Sequence, residues 1–321
     1  KNNSNYFQNL RNSIPCIYGF KRLFFPDESA LMINSKPGLN PNACDIITPT
    51  DTFPYQAVVR IDSLGIYDST FKRKSVSGEP NSIIQYDSQR VFLTGTAWSF
   101  ITYDGHSVNG VCRVFLDGSL DTTFTTPLSD TVALNYAEIT TIANSNKVFL
   151  HGLFFLKDSS RQHNLVRLNA DGSIDTTFNY NNGPTHSIHT YHEVRNIVPT
   201  DDGGYIISGT FDSLQGFYKN NLAKIDSNGF VEPQYFTTQG PDSADILGNG
   251  WAVVNIEKSA LGGYYVYGNF STWDGRPSQP IVRINGLVTG VEELQQNPLE
   301  IKLYPNPTDD LVAIATNQTL D

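Results

Sequence analysis

Four aromatic residues, Trp98, Tyr103, Trp251 and Trp273, fall in or beside segments that read as loops. An exposed indole or phenol can stack on a sugar ring while its polar edge bonds a hydroxyl, so these four are candidates for contact with a glycan or a protein. Trp98 and Trp273 follow Gly95 and Gly268 by three and five residues, where strands would open into loops, and Phe217 lies in a comparable place. The same residue types also serve as wedges between packed elements. A second cluster, His186, His189, His192 and Glu193, has the composition of a transition-metal ligand set. A merely polar loop is the simpler reading, and no metal is assigned. Asp242, Asp245, Glu257 and Asp274 are the acids from which a glycosidase pair could be drawn, but nothing in the sequence fixes their separation. No catalytic residue and no cofactor follow from these patterns.

The elements that must position such residues are announced by a repeat. Its clearest copy runs from Leu165 to Phe178, Leu-Val-Arg-Leu-Asn-Ala-Asp-Gly-Ser-Ile-Asp-Thr-Thr-Phe, and Val111 to Phe124 is nearly the same. Val58 to Phe71 is looser, Leu222 to Tyr235 is worn, and Ile281 to Gly286 keeps only the opening, so the copies start 53 to 59 residues apart. Short runs of β-branched and aromatic residues ending at Gly95, Gly152, Gly209 and Gly268 keep step, with glycines 57, 57 and 59 apart. Each run follows a turn and an earlier apolar run, which is a hairpin signature. The Leu-Val-Arg-Leu segment adds a third strand, and Asp-Gly-Ser turns the chain into a short fourth. A unit of this size cannot bury its own apolar face, so the units must stack. The expected fold is all-β: a β-propeller, five units between about residues 20 and 286, followed by a partial β-sandwich.

The Asp-Gly-Ser-x-Asp motif has two readings. Asn169, Asp171, Gly172 and Ile174 match part of an EF-hand-like calcium loop, but Arg167 occupies its first ligand position and the closing Glu is missing. The simpler reading is structural: Asp-Gly makes the turn, the second Asp bonds the amides after it, and the Phe fills the space between neighbouring units.

Composition narrows the classes. The 321 residues carry a net charge of −10, which argues against a nucleic-acid partner. No apolar run is long enough for a transmembrane helix. One Met against 16 Tyr and 19 Phe suits an extracellular β protein. The chain begins with Lys, as a processed form or fragment would. Of three cysteines, Cys16 and Cys44 flank the first hairpin and could be bonded, whereas Cys112 falls in a strand as a small core residue.

After Gly286 the pattern stops. Residues 287–297 read as a polar linker, and Ile301 onward gives two short alternating segments around Tyr304-Pro305-Asn306-Pro307. This stretch resembles the opening of the C-terminal sorting domain of type IX secretion substrates of the Bacteroidota. The resemblance covers about 21 residues, Ile301 to Asp321, and the family's domain runs several strands further. It implies export by the type IX machinery to the outer-membrane surface or the medium, with 298–321 as the beginning of the domain. The repeats themselves resemble a bacterial β-propeller family with the same Leu-x-x-Asp-Gly-Ser-x-Asp-x-x-Phe hallmark, frequently paired with such a tag. That family offers no shared catalytic residues. The expectation is therefore a secreted or cell-surface binding module for a glycan or protein. The alternatives are a carbohydrate-active hydrolase or lyase using pocket carboxylates, and a surface adhesin. Residues 1–19 are expected to supply a strand closing the last unit.

Overall fold

A computed structural model of the chain describes residues 22–33, 46–47, 52–53, 58–71, 76–77, 80–96, 100–130, 136–157, 162–179, 183–187, 192–237, 240–241, 254–285, 287, 302–304 and 313–315. The expectations for residues 1–19, for Cys16 and Cys44, and for Trp98 and Trp251 fall outside them. The chain divides into two compact units, Lys1–Gly286 and Leu287–Asp321.

The larger unit is all-β. Five three-stranded antiparallel sheets follow one another, each joined in simple chain order. Sheet 1 is Arg22–Phe24, Ala30–Ile33 and Val58–Ile61; sheet 2 is Ser82–Gln85, Arg90–Thr94 and Val111–Phe115. Sheet 3 is Tyr136–Thr141, Val148–Phe155 and Gln162–Leu168; sheet 4 is Glu193–Pro199, Tyr205–Thr210 and Leu222–Ile225. Sheet 5 is Val254–Lys258, Tyr264–Gly268 and Ile281–Ile284. A fourth, minimal edge is a single bridge: Ile61 to Tyr67, Val114 to Leu120, Leu168 to Ile174 and Ile225 to Val231. Among the described residues sheet 5 has no such bridge.

The middle strands explain why the sheets must stack. Side chains alternate across a strand, and in sheets 1 to 4 both faces of the middle strand are buried, whereas in sheet 5 Tyr265 is exposed. In sheet 2, Val91 and Leu93 pack in one cluster with Leu31 and Val58 of sheet 1, while Phe92 packs with Ile139 and Leu150 of sheet 3. In sheet 3, Val148 and Leu150 point back toward sheet 2 and Phe149 points forward to Val194 and Ile207 of sheet 4. A continuous apolar run is what such a doubly covered strand needs.

The closing glycines of these runs mark where the first strand of a sheet presses on the second. A Cβ on Gly152, whose φ is +134°, would stand 2.2 Å from the Tyr136 carbonyl oxygen, and one on Gly209 would stand 2.0 Å from that of Glu193. In sheet 4 this crowding coincides with a register shift between Val194 and Asn196, which leaves Arg195 as an extra residue in its strand.

In the smaller unit, Lys302–Tyr304 and Ala313–Ala315 form an antiparallel pair with Leu303 opposite Ile314. Pro305, Asn306 and Pro307 lie outside the described residues.

Candidate ligand-binding face and the inter-sheet joints

The Asp-Gly-Ser turns build the joints between units. Phe71, Phe124 and Phe178, the last residues of three copies of the motif, are buried in the successive inter-sheet clusters. The glycine of the next unit's turn rests on the preceding phenylalanine: a Cβ on Gly229 would lie 2.7 Å from the Phe178 ring, and one on Gly172 would meet Thr125 O at 2.1 Å. Backbone bonds Thr125 N–H to Asp171 O (2.9 Å) and Asn179 N–H to Asn228 O (2.7 Å) complete the seat.

An arginine latch lies over each of these two seats. Arg113 Nε donates to Asp121 Oδ2 (2.7 Å), Nη2 to Thr123 Oγ1 (3.2 Å), and Nη1 to the Ala170 carbonyl of the following unit (2.7 Å). Arg167 repeats the set with Asp175 (2.6 Å), Thr177 (3.2 Å) and the Ser227 carbonyl (2.7 Å). Each aspartate takes a second cation, Arg90 on Asp121 and Lys147 on Asp175. The Arg113 guanidinium also lies 5.2 Å from the centre of the Phe124 ring, a favourable cation–π arrangement. Burial pushes the Asp121 carboxyl up, but hydrogen bonds from Thr123 and Arg113 outweigh it and hold the pKa at about 2. Unit 4 keeps the pairing with both partners exchanged, Lys224 with Glu232.

These contacts decide between the two readings of the motif. Asp171 Oδ1 accepts from Ser173 N (2.9 Å) and Oγ (2.6 Å), and Asp175 is committed to cations and to Thr177. The motif is a joint. Among the described residues no set of histidines, cysteines and acids is arranged to hold a metal. His186 stands 3.5 Å from Asp212, whose carboxylate also accepts the Ser187 amide, while His189 lies outside the described residues.

Small arms carry the candidate face, and they reach back to the turns: Gln215 Nε2 donates to Gly229 O (2.7 Å) and Gln215 Oε1 accepts from the Val231 amide (3.0 Å). Between the second and third strands of sheets 2, 4 and 5 the chain makes a small arm: Thr102–Tyr103 with His106–Ser107, Ser213–Leu214 with Phe217–Tyr218, and Thr272–Trp273 with Arg276–Pro277. Both turn residues have positive φ in every arm: 52° and 78° at Asp104-Gly105, 53° and 85° at Gln215-Gly216, 50° and 74° at Asp274-Gly275. That is the tight two-residue hairpin whose twist matches its strands. The segment arriving from the previous sheet straps each arm, through Val76–Ser77, Pro184–Thr185 and Pro241 respectively.

Within an arm the first strand points one residue inward. Tyr103 is fully buried and donates its hydroxyl to Gly118 O (2.8 Å), and Leu214 is buried at the equivalent place. Tyr103 was expected to contact a ligand; alternation turns its ring into the core, and no face is left for one. Trp273 holds the same position, half-buried, with its indole edge-on to Phe270 at 5.9 Å. The second strand is exposed on both sides, and its residues change from arm to arm: His106 and Ser107, Phe217 and Tyr218, Arg276 and Pro277. Tyr218 had no signal of its own. Aligning the three Asp-Gly or Gln-Gly turns would have placed it beside Phe217 at a solvent-facing tip.

A third feature lies at the seam of sheets 3 and 4. Tyr136 donates to Glu138 Oε1 (2.6 Å), and Glu193 pairs with Arg195. Buried His151 places Nδ1 3.1 Å from Val194 O and Nε2 3.0 Å from Thr140 Oγ1. A carbonyl can only accept, so Nδ1 carries the proton and Nε2 accepts from the threonine. Burial lowers the His151 pKa and keeps the ring neutral. Burial raises the Glu193 carboxyl, only partly offset by Arg195, and Glu138 adds to the rise. This grouping was not legible from the acids singled out in the sequence. Of those, Glu257 accepts from Tyr267 Oη (2.7 Å) and Asp274 from the Gly240 amide (2.7 Å); Asp242 and Asp245 lie outside the described residues.

No curated protein matches the chain. A family model described as "Domain of unknown function (DUF5122) beta-propeller" matches residues 93–124 and 144–178, which hold the third strand and Asp-Gly-Ser-x-Asp-x-x-Phe edge of units 2 and 3, with the end of the middle strand in unit 2 and all of it in unit 3. With five consecutive antiparallel meanders and no helix among the described residues, that match shows the fold: an all-β β-propeller.

Proposed function

We propose that the chain is a secreted or cell-surface binding module, a five-bladed propeller exported by the type IX secretion system, whose arm face contacts a glycan or protein. The carrying observation is the contrast within the arms. Their turns, straps and inward residue repeat, while the exposed second strand presents imidazole, aromatic or guanidinium groups in turn. A fixed frame with varied tips is the arrangement of a recognition surface. We assign contact to Phe217 and Tyr218, with Trp98, Trp251 and Trp273. In the full-length chain, Phe217→Ser with Tyr218→Ser should lower affinity for captured surface glycan or protein about tenfold or more, the effect of losing one central aromatic anchor. Binding unchanged on a glycan array and in a pull-down from cell surfaces would remove the arms from the reading.

The export half of the proposal rests on Tyr304-Pro-Asn-Pro and the strand pair bracketing it, Lys302–Tyr304 and Ala313–Ala315. No helix of the described residues is long and apolar enough to cross a membrane. Deleting 298–321 should leave the melting temperature of the propeller within a few degrees while abolishing export. A large thermal loss would show instead that the tail belongs to the folded propeller.

A second reading, a carbohydrate-active hydrolase or lyase, draws support from the seam of sheets 3 and 4, where Glu193 has a raised pKa and senses Glu138. A carboxyl whose pKa burial raises, close to a second carboxyl, is a starting point for an acid–base pair. Polysaccharide turnover that falls at least about a hundredfold in Glu193→Gln would favour it; no turnover by the parent chain would eliminate it.

A further inference from the structure

A cavity of about 180 Å³ opens on the flank of sheet 2, away from the seam of sheets 3 and 4. Its floor is apolar, made by Val108, Val111 and Cys112 of the arm exit and third strand, with Leu120 and Phe124 of the edge. Its rim is polar, with exposed Thr122 and Thr125 and with Ser107, whose hydroxyl donates to Asn109 Oδ1 (2.9 Å). Lys157 also lines it, and no other lining residue carries a permanent charge. The Lys157 backbone is pinned by its amide bond to Pro127 O (3.0 Å), so the residue is held beside the cavity by sheet 3 while the floor belongs to sheet 2.

Size and chemistry narrow the occupant. An apolar cavity of about 150 Å³ is enough for a benzene-sized group, so this one takes a phenyl ring or a branched aliphatic chain and little more. A small apolar floor, a hydroxyl rim and one ammonium match an apolar group of that size bearing a single carboxylate. Seating it buries hydrocarbon below and leaves the anion at the rim, where a hydroxyl and an ammonium both donate to it.

We propose that this cavity is a binding site for a small apolar carboxylate, taken either as a free acid or as the C-terminal residue of a chain. The site shares His106 and Ser107 with the arm of sheet 2 but is not lined by Phe217, Tyr218 or Trp273, so its failure would leave the contacts assigned to those residues untouched.

The test titrates the full-length protein with 4-methylpentanoate and phenylacetate, each against its neutral amide, and with a short peptide ending in leucine against the same peptide amidated. Chemical-shift changes or calorimetry give the affinities. The expected result is saturable binding of the acids, at least about fivefold weaker for the amides and for Lys157→Met. Ser107→Trp, an exposed rim substitution that leaves the core intact, should abolish it. Saturation by the small acids alone assigns the site to free acids; saturation by the peptide, lost on amidation, assigns it to a chain end. Equal binding of acid and amide, unchanged binding in Lys157→Met or Ser107→Trp, or no saturation by any probe overturns the proposal.

Discussion

Asp121→Ala is expected to cost about 3–5 kcal/mol of unfolding free energy, the usual penalty for stranding a buried charge by removing its partner. Arg113 is 2% exposed, and its Nε loses its acceptor in the variant. Arg90 loses a partner as well, and the Thr123 amide and hydroxyl lose the Oδ1 that both address. Denaturant unfolding followed by fluorescence reads the loss, and a cost below about 1 kcal/mol would show that the latch does not hold the joint. Asp171→Ala, which removes an exposed turn carboxylate, should barely move the midpoint. The same pairing sets an acid limit. The Asp121 carboxyl sits near 2 in the fold against an ordinary 3.8. Its stabilisation is therefore complete above about pH 4 and disappears as pH falls through about 2. Parent and Asp121→Asn chains should differ in stability at neutral pH and converge below that range.

Gly152→Ala is the second large effect, expected at about 3 kcal/mol or more. Two costs combine: a φ of +134°, which side chains rarely adopt, and a carbonyl oxygen at 2.2 Å that belongs to backbone and cannot swing aside. Gly209→Ala meets a backbone oxygen at 2.0 Å and should behave alike. Gly105→Ala provides the contrast. Its φ is +78°, but no atom lies within 4 Å of the new Cβ, so it should lose only the roughly 1–2 kcal/mol of left-handed strain. Thermal melting of the three variants separates the terms. Equal losses at 105 and 152 would mean that close approach of the first strand adds nothing.

The sequence made the strands legible because the middle runs of sheets 1 to 4 are buried on both sides, and those of sheets 3 and 4 carry a glycine the neighbouring backbone demands. The turns at Gly118 and Gly172 were legible for the same reason, each having a positive φ. The latch was visible and overlooked. Arg60 and Asp68, Arg113 and Asp121, Arg167 and Asp175, and Lys224 and Glu232 are each eight apart, and the last pair changes both members together. Tyr103 misled because a two-residue arm has one inward and one outward position, and only register tells them apart. The Tyr136–Glu138 and Glu193–Arg195 grouping could not be found by spacing. It forms where two units touch, and equivalent positions in those units hold different residue types.

The latches also have a direction. Arg113 reaches the carbonyl 57 residues ahead and Arg167 the one 60 ahead, each a full repeat downstream and never upstream. These two joints are thus written in the same relative address, so removing or inserting a whole repeat between them hands each guanidinium an equivalent carbonyl from the unit that comes next. A lineage of such chains can change its number of units by duplicating or losing a repeat bounded by such latches, without redesigning those joints.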